Sequence, residues 1–62
     1  MLTGITIVEL TEDGETFFDI RDQDGEYLSD NETLEEAIKQ AKVFAKAHKI
    51  KCIKLQVESE AM

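Results

Sequence analysis

The first third of the chain alternates between apolar and polar residues in the manner of β-strands. Residues 5–10 and 16–20 are rich in β-branched and aromatic side chains, which favour strands. Between them lies Asp13-Gly14, the dipeptide that a two-residue hairpin turn prefers. We therefore predict an antiparallel hairpin in which Leu10 faces Phe17.

A second turn signal follows. Asp24-Gly25 predicts another two-residue turn, and residues 26–29 then form a short third strand. The three strands make a meander.

The apolar period changes to 3.6 after residue 32, which predicts a helix over residues 33–48. Asp30 or Asn31 is predicted to cap it. Its apolar stripe consists of Leu34, Ala37, Ile38, Ala41, Phe44, Ala45 and His48. Strand-like alternation returns at residues 53–57.

The element order predicts an α+β fold of the form β-β-β-α-β. Because the helix joins the third strand to the last, the last strand can return parallel to the first and beside it. We expect a four-stranded mixed sheet of order 3-2-1-4 with one helix packed on one face. Residues 1–62 are predicted to form one small domain, with a frayed tail at residues 58–62.

The expected turns assign each strand residue to a face of the sheet. The face toward the helix is predicted to contain Ile5, Ile7, Phe18, Ile20, Tyr27, Ile53, Leu55 and Val57. The opposite face is predicted to expose an apolar patch of Val8, Leu10, Phe17 and Leu28. A patch of this kind is typical of an interface, with a partner or with a second copy.

Charge is distributed unevenly along the chain, which has a formal net charge of −7. Residues 9–36 contain twelve acids and one base, whereas residues 39–54 contain six lysines and no acid. Acidic surface repels nucleic acid and attracts basic proteins. The acidic turn residues Glu12, Asp13, Glu15, Asp24 and Glu26 are therefore candidates for contact with a basic protein, and direct nucleic-acid binding is not expected.

The sequence also indicates the cellular compartment in which the protein is expected. A single cysteine, Cys52, cannot form an internal disulfide, and no residue run predicts a signal peptide or a membrane span. We expect a cytoplasmic protein without membrane contact.

No catalytic site, metal site or cofactor is predicted. Asp19, Asp22 and Asp24 are close in sequence but are not expected to converge on a pocket. The stretch beginning at Asp22 resembles a calcium loop, but its glycine falls at the fourth position instead of the sixth. We therefore expect a chain that is not an enzyme.

Residues 6–57 resemble the small domain of HicB-type antitoxins. The best match is Thr33-Leu34-Glu35-Glu36-Ala37, which resembles the T-x-E-E-A helix start of that family, together with Asp22 and Gly25 in the preceding loop. Both prolines of the family's Pro-Asp-Leu-Pro-Gly stretch are absent here. The resemblance implies a partial ribonuclease-H-like unit and an antitoxin role.

Together these features predict a non-catalytic acidic module that inhibits or neutralises a basic partner protein. The apolar patch would be the centre of the interface and the acidic turns its rim. Two alternatives stay open. One is a phage or mobile-element mimic of nucleic acid that blocks a nuclease or DNA-binding protein. The other is a small structural protein that forms a homo-oligomer, such as a homodimer.

Overall fold

The computed structural model describes residues 1–58, so residues 59–62 of the predicted tail lie outside the described residues. The strands are β1 (Ile5–Glu12), β2 (Glu15–Asp22), β3 (Tyr27–Asn31) and β4 (Ile53–Glu58), and the helix α1 is Leu34–His48. They form one sheet of order β3-β2-β1-β4, in which β4 is parallel to β1 and the other pairs are antiparallel. The predicted fold class and strand order are confirmed.

The first hairpin has the predicted turn. Asp13 and Gly14 both have positive φ, 53° and 80°, as a two-residue turn of the primed type requires. Glu12 then pairs with Glu15, and Leu10 pairs with Phe17. The predicted register of β1 and β2 is therefore confirmed.

The second turn differs from the prediction. The Asp22 N–H donates to the Glu26 carbonyl at 3.0 Å, so the loop between them has three residues instead of two. Gly25 takes the left-handed conformation, with φ of 84°, which closes such a loop without steric cost. β3 consequently begins at Tyr27 and runs to Asn31, beyond the predicted residues 26–29.

A β-bulge follows this loop and reverses the predicted faces of two residues. The register of β2 and β3 shifts between Ile20 and Arg21, so Tyr27 pairs with Arg21 and lies on the face away from α1. Leu28 instead packs against the core beneath α1. The prediction that Leu28 belongs to the exposed patch and Tyr27 to the helix face was wrong, because the longer loop and the bulge each change the register by one residue.

The helix has nearly the predicted range, but its cap lies two or three residues after the predicted Asp30 or Asn31. Thr33 is the cap, and its Oγ1 accepts from the Glu36 N–H at 3.1 Å while its hydroxyl donates to Glu36 Oε1 at 3.3 Å. Asp30 and Asn31 belong to β3. At the other end, the Lys49 and Ile50 N–H groups both donate to the Ala45 carbonyl. No helix among the described residues is both long and apolar enough to cross a membrane.

Small side chains form the fully buried part of the contact between α1 and the sheet, and the half-buried Ile38 and Phe44 of α1 also pack against the core. Ala37 and Ala41 are 0% exposed, and Ala45 is 8% exposed. They lie against Ile20 and its neighbours in one core cluster, which contains Ile5, Ile7, Phe18, Ile20, Ala37, Ala41 and Ala45. Because alanine is short, the helix backbone lies close to β1 and β2.

β4 lies largely outside this contact. Its register with β1 places Leu55 beside Ile7 and Val57 beside Glu9, on the face predicted. Leu55 is nevertheless 60% exposed and Val57 65% exposed, whereas Ile53 packs against the core. Ile53, Leu55 and Val57 lie on the predicted face of the sheet. The expectation that α1 covers all three residues was wrong, because α1 lies mainly over the other strands.

Replacing Ala41 by leucine should destabilise the fold, because a larger side chain would push α1 away from the sheet. Overpacking of this kind costs about 1–3 kcal/mol. For a domain of this size each kcal/mol corresponds to a fall in melting temperature of roughly 4–8 °C. Thermal melting followed by circular dichroism measures the effect.

Val43→Leu is the matched control, since Val43 lies on the same helix and is 62% exposed. It should change stability by no more than about 0.5 kcal/mol. Equal melting temperatures for the two variants would contradict the alanine contact.

Candidate protein-binding surface

The sheet face that α1 does not cover, here called the open face, combines apolar and charged residues. Strand alternation and register assign to it Thr6, Val8, Leu10, Glu12, Glu15, Phe17, Asp19, Arg21, Tyr27, Asp30, Lys54 and Gln56. Within the described residues no second layer packs on this face. It is the surface to which sequence reasoning assigned the interface.

Val8 lies on the open face as predicted, but it is not exposed. Only 3% of its surface is accessible. Its neighbours across the sheet are Asp19 and Gln56, and both side chains are longer than valine. Because β1 has a strand on each side, the short valine is shielded from solvent, so the expectation that Val8 is exposed on this face was wrong.

Leu10 and Phe17 are the apolar residues of the predicted patch that remain accessible on the open face. They are directly paired across β1 and β2, and both are half-buried. Phe17 also lines a shallow groove with Asp30, Asn31, Glu32 and Glu36 at the edge of the sheet. The pair is thus partly shielded by the protein itself and offers a compact apolar area.

Two glutamates lie next to this pair on the same face. Glu12 faces Glu15 across the strands, two residues closer to the hairpin turn than the pair Leu10 and Phe17. Both are exposed, as is Asp13 in the turn. Carboxylates in directly opposite positions repel each other. We call Leu10, Glu12, Asp13, Glu15 and Phe17 together the hairpin end.

No base neutralises the acids of the hairpin end in the part of the chain that the structure describes. The ion pairs found there are Arg21 with Asp19, at 3.2 Å, and Lys39 with Glu35, at 3.9 Å. Both lie away from the hairpin turn. The repulsion between Glu12 and Glu15 is therefore relieved only by solvent, counterions or a cationic ligand.

The other predicted acids lie far from the hairpin end. Asp24 and Glu26 are exposed in the second turn, at the opposite end of β2. Eight strand residues at about 3.4 Å each separate the two turns by roughly 25 Å. A single small epitope cannot include both groups, so the structure divides the predicted acidic rim in two.

Asp22 has a structural role that sequence reasoning missed. Its Oδ1 accepts from the N–H groups of Asp24 and Glu26, both at 2.9 Å, and so holds the three-residue loop together. An aspartate at the start of a turn that ends in glycine is a known signal for such bonding. This carboxylate oxygen is therefore engaged by the backbone of the loop.

A polar cluster around Tyr27 was also missed, because it depends on the bulge. Tyr27 is 59% exposed. Its partial desolvation and the nearby carboxylates of Asp30 and Asp19 raise the pKa of its phenol above the ordinary value. The raised pKa is consistent with a tyrosine on the open face beside two aspartates.

The described residues contain no group of three or more His, Cys, Asp or Glu side chains that could hold a metal ion. Cys52 is an exposed free thiol, and His48 is exposed at the end of α1. Comparison of the chain with protein-family models, with curated proteins and with solved structures found no match. The chemistry of the surface itself is therefore the basis for assigning a function.

The phenol of Tyr27 should titrate above pH 10.0, its ordinary value, because the folded protein holds the proton more tightly. Any stabilisation from the neutral phenol is complete below that pH and is lost as pH rises further. The chain has one tyrosine and no tryptophan, so the near-ultraviolet absorbance of phenolate reports this residue alone.

Asp30→Asn should lower the titration midpoint, since it removes the adjacent negative charge. Asp24→Asn, in the loop, should leave the midpoint unchanged. A midpoint insensitive to Asp30→Asn would contradict the placement of Tyr27 beside Asp30 on the open face.

Proposed function

We propose that this protein is a non-catalytic module that binds a basic protein through the hairpin end. The observation that supports this most directly is the facing pair Glu12 and Glu15, exposed and without a base among the described residues, beside the apolar pair Leu10 and Phe17. A lysine or arginine of a partner inserted between the glutamates would remove their mutual repulsion.

The two halves of the hairpin end contribute differently to such an interface. Exposed carboxylates attract a basic partner over about a Debye length, roughly 8–10 Å, and mainly raise the association rate. Burying the accessible surface of Leu10 and Phe17 against a partner contributes favourable free energy of binding. Buried aromatic residues supply most of the affinity in typical interfaces. Recognition thus needs both a positive patch and an apolar contact on the partner.

The biological form that we propose is inhibition, in which the module covers the functional surface of a basic protein. The resemblance of residues 33–37 and of the preceding loop to HicB-type antitoxins supports a toxin as that partner. We also propose that the protein acts in the cytoplasm, where a single unpaired cysteine is stable.

Capture from a lysate of the native host tests the proposal when wild type and variants are used side by side. The protein that wild type retains should be basic, and Glu12→Lys should retain clearly less of it. Glu35→Lys is the matched control, because it changes the net charge equally at an exposed helix position. Retention of the same protein by all three baits would contradict the role of the hairpin end.

Purified partner and module then allow the two contributions to be separated. Phe17→Ala should weaken binding by about 2 kcal/mol, or roughly 30-fold, mainly through faster dissociation. Val43→Ala, on the outer face of α1, should have no effect. Circular dichroism confirms that each variant is folded.

Salt dependence distinguishes this proposal from nucleic-acid mimicry. A mimic binds through charge alone and should lose most of its affinity as ionic strength rises. The proposed interface should lose association rate and keep much of its affinity. Binding that disappears in high salt and is insensitive to Phe17→Ala would favour the mimic.

A further inference from the structure

β4 leaves an apolar stripe and a strand edge without a partner. It is an outer strand of the sheet, and within residues 1–58 no strand pairs with its far side. Leu55 and Val57 are 60% and 65% exposed on the same face as α1. An exposed edge with a row of free backbone donors and acceptors is a template for pairing with another strand.

The opposite edge of the sheet is protected against such pairing. β3 has five residues, is interrupted by the bulge and carries the charged Asp30 next to its last residue. β4 has six residues, and its register with β1 is regular throughout. The structure therefore offers one edge suited to strand addition, and this is the edge with the exposed apolar stripe.

We infer that β4 pairs with β4 of a second copy of this chain, antiparallel and centred on Gln56, to form an eight-stranded sheet. In this register Leu55 of each copy faces Val57 of the other, so the two exposed residues of each stripe meet. The twofold axis passes through Gln56, an amide that can both donate and accept.

Other registers fit the strand less well. A shift by one residue would set apolar positions opposite polar ones. Centring on Lys54 would place two lysines face to face, and centring on Leu55 would bring them within about 7 Å along the strands. With Gln56 at the centre the two Lys54 residues are roughly 14 Å apart, beyond the Debye length at physiological salt.

The small size of the chain is the reason to expect a second copy at this edge. A 62-residue domain has a small core, and oligomerisation is one of the ways in which such domains gain stability. Disulfide bonding within the chain is impossible with one cysteine. A twofold edge contact covers both stripes at once, because each copy supplies the surface that the other lacks.

This inference does not depend on the proposed function. Pairing at the β4 edge adds strands beside the sheet and leaves the open face and the hairpin end accessible. A failure of partner binding at the hairpin end would therefore leave the dimer intact, and the reverse holds as well.

Light scattering and sedimentation over a concentration series test the dimer. The average mass of the wild-type protein should rise with concentration and approach twice the mass of the monomer. Val57→Lys should shift the protein to monomer while circular dichroism stays native, because Val57 is largely exposed in one copy. Val43→Lys is the matched control, a similarly exposed valine on α1, and should remain dimeric.

The position of the contact can be measured with the native thiol. Cys52 is free and exposed, so a nitroxide label attaches without mutation. Cys52 is four residues from the axis, so the two Cys52 positions are about 27 Å apart along the strands. This distance is within the range of pulsed electron paramagnetic resonance.

A dimer held by the open face would be disrupted by Phe17→Asp and would survive Val57→Lys.

The inference is overturned by a protein that is monomeric at all concentrations or by a dimer that survives Val57→Lys. It is also overturned by a distance between the two Cys52 positions of about 20 Å or less, which corresponds to a register centred on Leu55 or Lys54 instead of Gln56. It is supported by a dimer lost with Val57→Lys, retained with Val43→Lys and having the long separation.

Discussion

The close contact between an alanine ridge and two central strands determines the arrangement of the whole molecule. Ala37, Ala41 and Ala45 bring α1 against the residues of β1 and β2 around Ile20. A helix with its side chains is about 10–12 Å across, whereas the axes of the outer strands in a four-stranded sheet are about 14 Å apart and their side chains extend further. One helix seated over the centre cannot cover both edges. Leu28 on β3 packs beneath the helix. As a consequence, Leu55 and Val57 on β4 stay exposed.

Local sequence signals predicted the features that depend on local geometry. Asp13-Gly14 determines the register of the first hairpin, and the helix between the third and fourth strands determines the parallel return beside β1. Asp24-Gly25 was misleading because the same dipeptide fits two loop lengths, and the hydrogen bonds of Asp22 select the longer one. That choice, with the compensating bulge, explains why Tyr27 and Leu28 exchange faces. The dipeptide alone contains no information about either.

The candidate surface was predictable only in part, for a different reason. Alternation along a strand gives the side of the sheet to which a residue points, and it gave the correct side for Val8, Leu10 and Phe17. It does not give exposure, which depends on the length of the neighbouring side chains and on the reach of the helix. Val8 is hidden by its neighbours, whereas Leu55, on the side predicted to be core, is open to solvent. Both differences come from packing between elements that are distant in sequence.

The two surfaces that we propose are mutually compatible because of strand direction. β1 is parallel to β4, and the hairpin turn follows the end of β1. When two β4 strands pair antiparallel, the two hairpin ends consequently lie at opposite ends of the eight-stranded sheet, and a perpendicular twofold axis keeps both open faces on the same side. The acidic turns are then far apart, which limits the repulsion expected between copies that each have a net charge of −7. Such a dimer presents two identical acidic and apolar sites in one direction, so a partner with two basic sites at matching separation would be held by both, with an avidity that neither site has alone.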